Sequence, residues 1–82
     1  VDVDVLDPAY APGTGTPEPG GMTPVDLPWA CRILASRLRI VGMDVVEVIP
    51  TAAGSSDITA LVAERIVRES LTGLALARDA GA

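Results

Sequence analysis

Two acids, Asp2 and Asp4, stand two residues apart in the opening run Val-Asp-Val-Asp-Val-Leu. On an extended chain this spacing sends both carboxylates to one face, about 6.5–7 Å apart along the strand. Like charges aimed together out of apolar neighbours are costly unless cations neutralise them. Hydrolases that use two metal ions meet that need, with carboxylates bridging or flanking ions about 3.5–4 Å apart. The plainer reading of the same pair is a solvated strand face with both acids in water. The chain has no histidine, so it offers neither an imidazole base nor a histidine metal ligand.

The elements that must position this pair follow from pattern and composition. Residues 1–6 alternate β-branched apolar residues with acids, the period of a short strand. Residues 7–24 hold five of the seven prolines and four of the eight glycines, which excludes both helix and regular strand. A loop that long inside a compact domain is usually functional, and its few charges point to an ordered one. Asp7, ahead of Pro8, is expected to stabilise a turn through its side chain rather than bind a metal. A helix is predicted over 24–39, with Thr23 as N-cap, Pro24 in the first helical position and Asp26 three residues after the cap. Pro28 leaves open a later start with Asp26 as the cap. Met43–Ile49 reads as a second strand ended by Pro50, and 51–56 as a small-residue loop. A second helix is predicted over 57–78, with Ile58, Val62, Ile66, Val67, Leu71 and Leu74 inward and Glu64, Arg65, Arg68 and Glu69 outward. Gly73 is expected to weaken its last turns by roughly 1 kcal/mol relative to alanine.

The order strand-loop-helix-strand-helix predicts an α/β fold with a parallel strand pair and a right-handed crossover. Parallel strands are normally covered on both faces, which two helices cannot do, so the chain reads as the edge of a larger sheet. The opening residue, Val1, lies directly in strand-like sequence, and the expectation is a C-terminal piece of a longer protein.

Composition narrows the function classes. Eleven acids against six arginines give a net charge of −5, which argues against nucleic acid or an anionic membrane as partner. Apolar residues make up 49%, too many for a disordered chain. No apolar run is long enough for a membrane span, and no basic start of a signal peptide is present. The expectation is a soluble, cytoplasmic location. Cys31 is the single cysteine and cannot form an internal disulfide; with Trp29 and Met43 it reads as a packing residue.

Two specific readings of Asp2 and Asp4 can be tested on the residues that follow. A calcium loop of EF-hand type needs Asp or Asn, then glycine, and later a glutamate, where this chain has Leu6, Asp7 and Gly13. It fails. An Asp-x-Asp at a strand end also resembles haloacid-dehalogenase-type phosphotransferases, but a proline-rich loop stands where their turn and helix should be. That reading stays as a distant rival.

The run from Asp2 to Thr23, with Asp7-Pro8, Pro12-Gly-Thr-Gly-Thr-Pro17 and Gly20-Gly21 in register, closely resembles the signature of the ureohydrolase family, which includes arginase, agmatinase and guanidinobutyrase. Gly42-Met-Asp44-Val-Val-Glu47-Val-Ile-Pro50 resembles the family's later Asp-x-x-Glu-Val-x-Pro segment. Together the resemblance spans most of residues 1–66, and Pro12-Gly13-Thr14-Gly15 favours the agmatinase-like branch.

The resemblance implies a three-layer α/β/α parallel sheet, two manganese ions, and hydrolysis of a guanidino compound by a hydroxide held between the metals. It implies that Asp2 bridges the two ions, that Asp4 binds one of them, that Glu47 contacts the substrate guanidinium, and that Thr16 lines the pocket. These types suit the chemistry: manganese takes hard oxygen ligands, and a guanidinium, planar and cationic, suits a carboxylate clamp. Without the resemblance, Glu47 would read as a solvated strand end or a partner for Arg39. The resemblance further implies agmatine as favoured substrate, giving urea and putrescine, with 4-guanidinobutyrate next, and a homo-oligomer, trimer or hexamer, at full length.

The family's histidine ligand, Asp-x-His-x-Asp cluster and catalytic histidine have no counterpart in these residues, so the 82 residues alone are expected to be inactive. Thr51–Ser56 departs from the family's Tyr-Asp-containing loop, which bears on the pocket wall. The alternative from another class is a non-catalytic α/β interaction or assembly module whose acids are merely solvated.

Overall fold

The computed structural model describes residues 1–49 and 56–81; the predicted small-residue loop at 51–56 falls almost wholly outside them. Two helices dominate: α1, Asp26–Arg37, and α2, Ser56–Asp79. They pack on each other and on the irregular chain that precedes and joins them.

Among the described residues no strand runs long enough to be named as one. Pairing is reduced to two isolated parallel bridges, Asp2 with Val46 and Leu6 with Met22. Around the first bridge, Val46 N–H donates to Val1 O at 2.9 Å and Val3 N–H to Val46 O at 3.3 Å. The direction is parallel, as expected of a strand–helix–strand unit, but the regular strands predicted at 1–6 and 43–49 are not formed.

Both departures have local causes. The Asp2 side chain accepts a hydrogen bond from Asp4 N–H at 2.8 Å and so caps a 3₁₀ turn over Val3–Val5. A short polar side chain that bonds its own backbone competes with strand pairing, and the alternation of valine with aspartate conceals that competition. Downstream, Glu47 has φ 70°, a left-handed conformation that no strand continues through. Asp2 therefore caps a tight turn that carries Asp4, and the two do not lie along an extended face.

Helix α1 begins after a turn capped by Thr23, whose hydroxyl accepts from Asp26 N–H at 3.1 Å and whose carbonyl accepts from Leu27 N–H at 3.2 Å. Pro28 sits in the first turn, where a missing N–H costs least. The core joins Val3, Leu6 and Ala11 to Leu27 and Cys31 of α1 and Ile66 of α2.

The buried stripe of α2 is Thr59, Ile66, Glu69, Ser70 and Gly73, with Val62 and Ala63 half-buried. Ile58, Val67 and Leu71, predicted to face inward, are exposed. The reason is the crossing of the helices. A Cβ on Gly73 would collide with the Arg32 carbonyl oxygen and stand 2.8 Å from the Ala35 Cβ. The two backbones approach closely through glycine and alanine, so the contact stripe follows small residues rather than large ones. Gly73 is thus the point of contact, not merely a weak spot in the helix. Glu69, predicted outward, is buried between Arg32 Nη1 at 3.4 Å and Arg65 Nε at 3.2 Å, and Arg32 in turn lies 5.2 Å from the centre of the half-exposed Trp29 ring.

Candidate metal-binding and substrate site

The loop between Leu6 and Met22 is held at its mouth by backbone bonds, Met22 N–H to Val5 O at 2.8 Å and Asp7 N–H to Met22 O at 2.9 Å. The approach there is close enough to need glycine: a Cβ on Gly21 would stand 2.6 Å from both Asp7 N and Val5 O. Asp7 ties the loop internally. One carboxylate oxygen accepts from Ala9 N–H and the other from Gly20 N–H, both at 2.9 Å. These amides, Ala9 first, hold the Asp7 carboxyl below the usual carboxylate range. The turn-stabilising role predicted for Asp7 is what the structure shows.

Thus anchored, the loop folds back over Asp4. The buried Thr14 hydroxyl donates to Asp4 Oδ1, and the Thr16 hydroxyl donates to Asp4 Oδ2 at 2.5 Å. Hydrogen bonding to the ionised form, Thr14 first and Thr16 second, lowers the Asp4 pKa. Asp4 is therefore kept as an anion, both oxygens already oriented. Asp2 has one oxygen engaged with Asp4 N–H and remains exposed.

Glu47 directly follows Val46, the bridge partner of Asp2. Its carboxylate lies beside the loop: a Cβ on Gly15 would stand 3.8 Å from Glu47 Oε2 and 3.4 Å from Ile49 Cδ1. The four residues singled out from sequence thus fall in one neighbourhood. Asp4 and Thr16 touch, Asp2 caps the turn that carries Asp4, and Glu47 faces Gly15 between the two threonines.

Two residues of this neighbourhood escaped the sequence reading. Thr14 was passed over in favour of Thr16, although it is the buried one of the pair. Thr59 of α2 is fully buried, and its Oγ1 accepts from Gly13 N–H at 2.7 Å. The available signal was a polar residue in register with a stripe of apolar and small ones at 59, 62, 66, 70 and 73.

The donor chemistry fits a hard divalent cation in part. Carboxylates are the right ligands for manganese, yet no group of three or more His, Cys, Asp or Glu gathers among the described residues. Asp2 and Asp4 can supply oxygen ligands to such ions but cannot by themselves complete a cage for two.

A family model described as the Arginase family matches residues 1–73. The chain belongs to the arginase family. It is 47% identical over 74 residues to an agmatinase of Halalkalibacterium halodurans, a match that covers 89% of this chain and 25% of that protein. Among solved structures it resembles the formimidoylglutamase of Bacillus subtilis, with TM-score 0.86, 36% identity, and coverage of 93% of this chain and 24% of that one. It also resembles the proclavaminate amidino hydrolase of Streptomyces clavuligerus, with TM-score 0.84, 44% identity, and coverage of 94% and 26%. The architecture is accordingly an α/β, arginase-like one. The chain spans about a quarter of the length of the curated relatives it matches. Family membership leaves no place for the phosphotransferase reading. No helix among the described residues is long and apolar enough to cross a membrane.

Proposed function

We propose that these 82 residues form the C-terminal portion of a single ureohydrolase domain, an amidinohydrolase that uses two manganese ions and acts on a guanidino compound, with agmatine favoured. The observation that carries the reading is that Thr16 bonds Asp4, Asp2 caps the turn that carries Asp4, and Glu47, next to the bridge partner of Asp2, lies beside Gly15. Exposed apolar side chains on the bridge segments, Val1, Val5, Met43 and Val46, agree with further sheet against them.

In this reading Asp2 and Asp4 hold the metal ions, with the remaining ligands supplied by residues outside these 82. When bound, paired ions lower the pKa of water and so provide a nucleophile strong enough for a poor electrophile. The hydroxyls of Thr14 and Thr16 keep the Asp4 carboxylate ionised and fixed in direction, as partners behind metal ligands commonly do. The Glu47 carboxylate orients the guanidinium by charge-assisted hydrogen bonds. Agmatine is favoured because the agmatinase relatives are similar over most of this chain. The trimer or hexamer implied by the family belongs to the same proposal and is read by sedimentation of the full-length polypeptide.

The test is manganese-dependent urea release from agmatine by the full-length polypeptide. Asp2→Ala and Asp4→Ala are each expected to lower bound manganese and to cut turnover on the order of a thousandfold, the equivalent of losing several kcal/mol of metal assistance. Absence of urea from every guanidino compound tried, with two metals bound, would remove the functional reading.

A further inference from the structure

Gly13 is where three separate pieces of chain meet. Its N–H donates to Thr59 Oγ1 of α2 at 2.7 Å, and its carbonyl accepts from Ile49 N–H, also at 2.7 Å. A Cβ on Gly13 would stand 2.8 Å from Thr59 Oγ1 and 3.3 Å from Ile49 O, so the contact admits no larger residue without displacement. Thr14, the next residue, reaches Asp4, and Ile49 lies two residues beyond Glu47. One residue, Gly13, therefore sets the distance between the threonines that hold Asp4 and the segment that presents Glu47.

Thr59 fixes Gly13 from behind. It has no exposed surface and touches none of Asp2, Asp4, Thr16 or Glu47 through a hydrogen bond. Its partner is a buried backbone donor, and such a donor is costly to leave unpaired. We infer that Thr59 is a positioning residue: its hydroxyl, acting through Gly13, sets the placement of Glu47 against the Asp4 side of the site and thereby the grip on the guanidino group. This inference rests on the proposed amidinohydrolase function for its kinetic half, and on the hydrogen bonds alone for its structural half.

The experiment compares Thr59→Val, which keeps the shape and removes the acceptor, with Thr59→Ser, which keeps the acceptor, in the full-length polypeptide loaded with manganese. Thr59→Val is expected to raise KM for agmatine about tenfold or more, since small misplacements are costly to a bound substrate, with manganese content unchanged; Thr59→Ser is expected to restore the wild-type value. Amide exchange at Gly13 and Ile49 is followed in parallel, with faster exchange expected in Thr59→Val alone. An unchanged KM in Thr59→Val, or an equal defect in Thr59→Ser, overturns the inference. If Thr59→Val does not fold, exchange in the wild type decides: a Gly13 amide as fast as an open loop overturns the inference, and a protected one with normal kinetics in Thr59→Ser supports it. A wild-type protein that releases no urea but protects the Gly13 amide sinks the proposed function and leaves the clamp standing.

Discussion

The loop between Leu6 and Met22 and the crossing of α1 with α2 are held in place by different means. The loop buries little side-chain surface beyond Ala11 and Thr14, and it is fixed by hydrogen bonds that it donates to Asp7, Asp4 and Thr59. The helix pair is fixed by shape, through Gly73 against Arg32 and Ala35, with one ion pair, Arg32 to Glu69, across it. The difference teaches where change is tolerated. Hydrogen bonds anchored on carboxylates respond to pH and to polar substitution, whereas close backbone contact responds to volume alone.

The strongest challenge to that contrast is Gly73→Val. A branched side chain at the crossing forces the helices apart, and overpacking of this kind costs about 1–3 kcal/mol, with the upper end expected where backbone is the obstacle. Amide exchange across both helices should accelerate accordingly, while exchange at Ala9 and Gly20 in the loop should change little. A loss confined to the loop, or no loss anywhere, would break the comparison.

Asp7→Asn probes the other side with an intermediate effect. The amide replaces one of two accepting oxygens with a donor, so either Ala9 N–H or Gly20 N–H loses its partner. The sign of the pH dependence follows from the lowered Asp7 pKa. The stabilisation is present above the ordinary aspartate value, about 3.9, and is lost as pH falls through the depressed folded value. Protection of the Ala9 and Gly20 amides should therefore fade in strong acid in the wild type. In Asp7→Asn it should be weaker at neutral pH and flatter across the acid range.

Glu64→Ala should do least. Glu64 pairs with Arg68 one turn along α2, with both groups exposed, and solvent and salt screen such pairs. Thermal unfolding at low and moderate salt should barely distinguish variant from wild type. A large shift would mean that the surface of α2 contributes an electrostatic anchor of its own, and would sharpen the contrast into a three-way one.

The same division explains what could be read from the sequence. Asp2, Asp4 and Thr16 drew attention through the long run from Asp2 to Thr23, and Glu47 through the separate segment from Gly42 to Pro50, while the prolines and glycines of the loop marked its irregular path. The bond from Asp26 N–H to Thr23, at 3.1 Å, was legible from the spacing of the two residues, but it closes the turn ahead of α1, whose N-cap is Val25 and not Thr23. The strands were misjudged because the period of Val-Asp-Val-Asp reports side-chain alternation and not the Asp2 side chain's bond to the next backbone amide but one. The inward face of α2 was misjudged because hydrophobicity favours Ile58 and Leu71, while the crossing is governed by the absence of a side chain at Gly73. Glu69 looked solvent-facing because, beyond its i,i+4 partner Arg65, it pairs with Arg32 on the other helix, a contact no local pattern reveals. Thr59 joins residues 46 positions apart in the chain, and distance in sequence hid it.

Glu47 holds a left-handed backbone with φ 70°, an arrangement that costs an L-residue with a Cβ roughly 1–2 kcal/mol and that asparagine or glycine adopts more readily. A directed-evolution campaign scored only on heat resistance would therefore drift away from glutamate at this position. Under the proposed role of Glu47, one scored on turnover would keep it, which makes position 47 a marker of what any engineered descendant had been selected for.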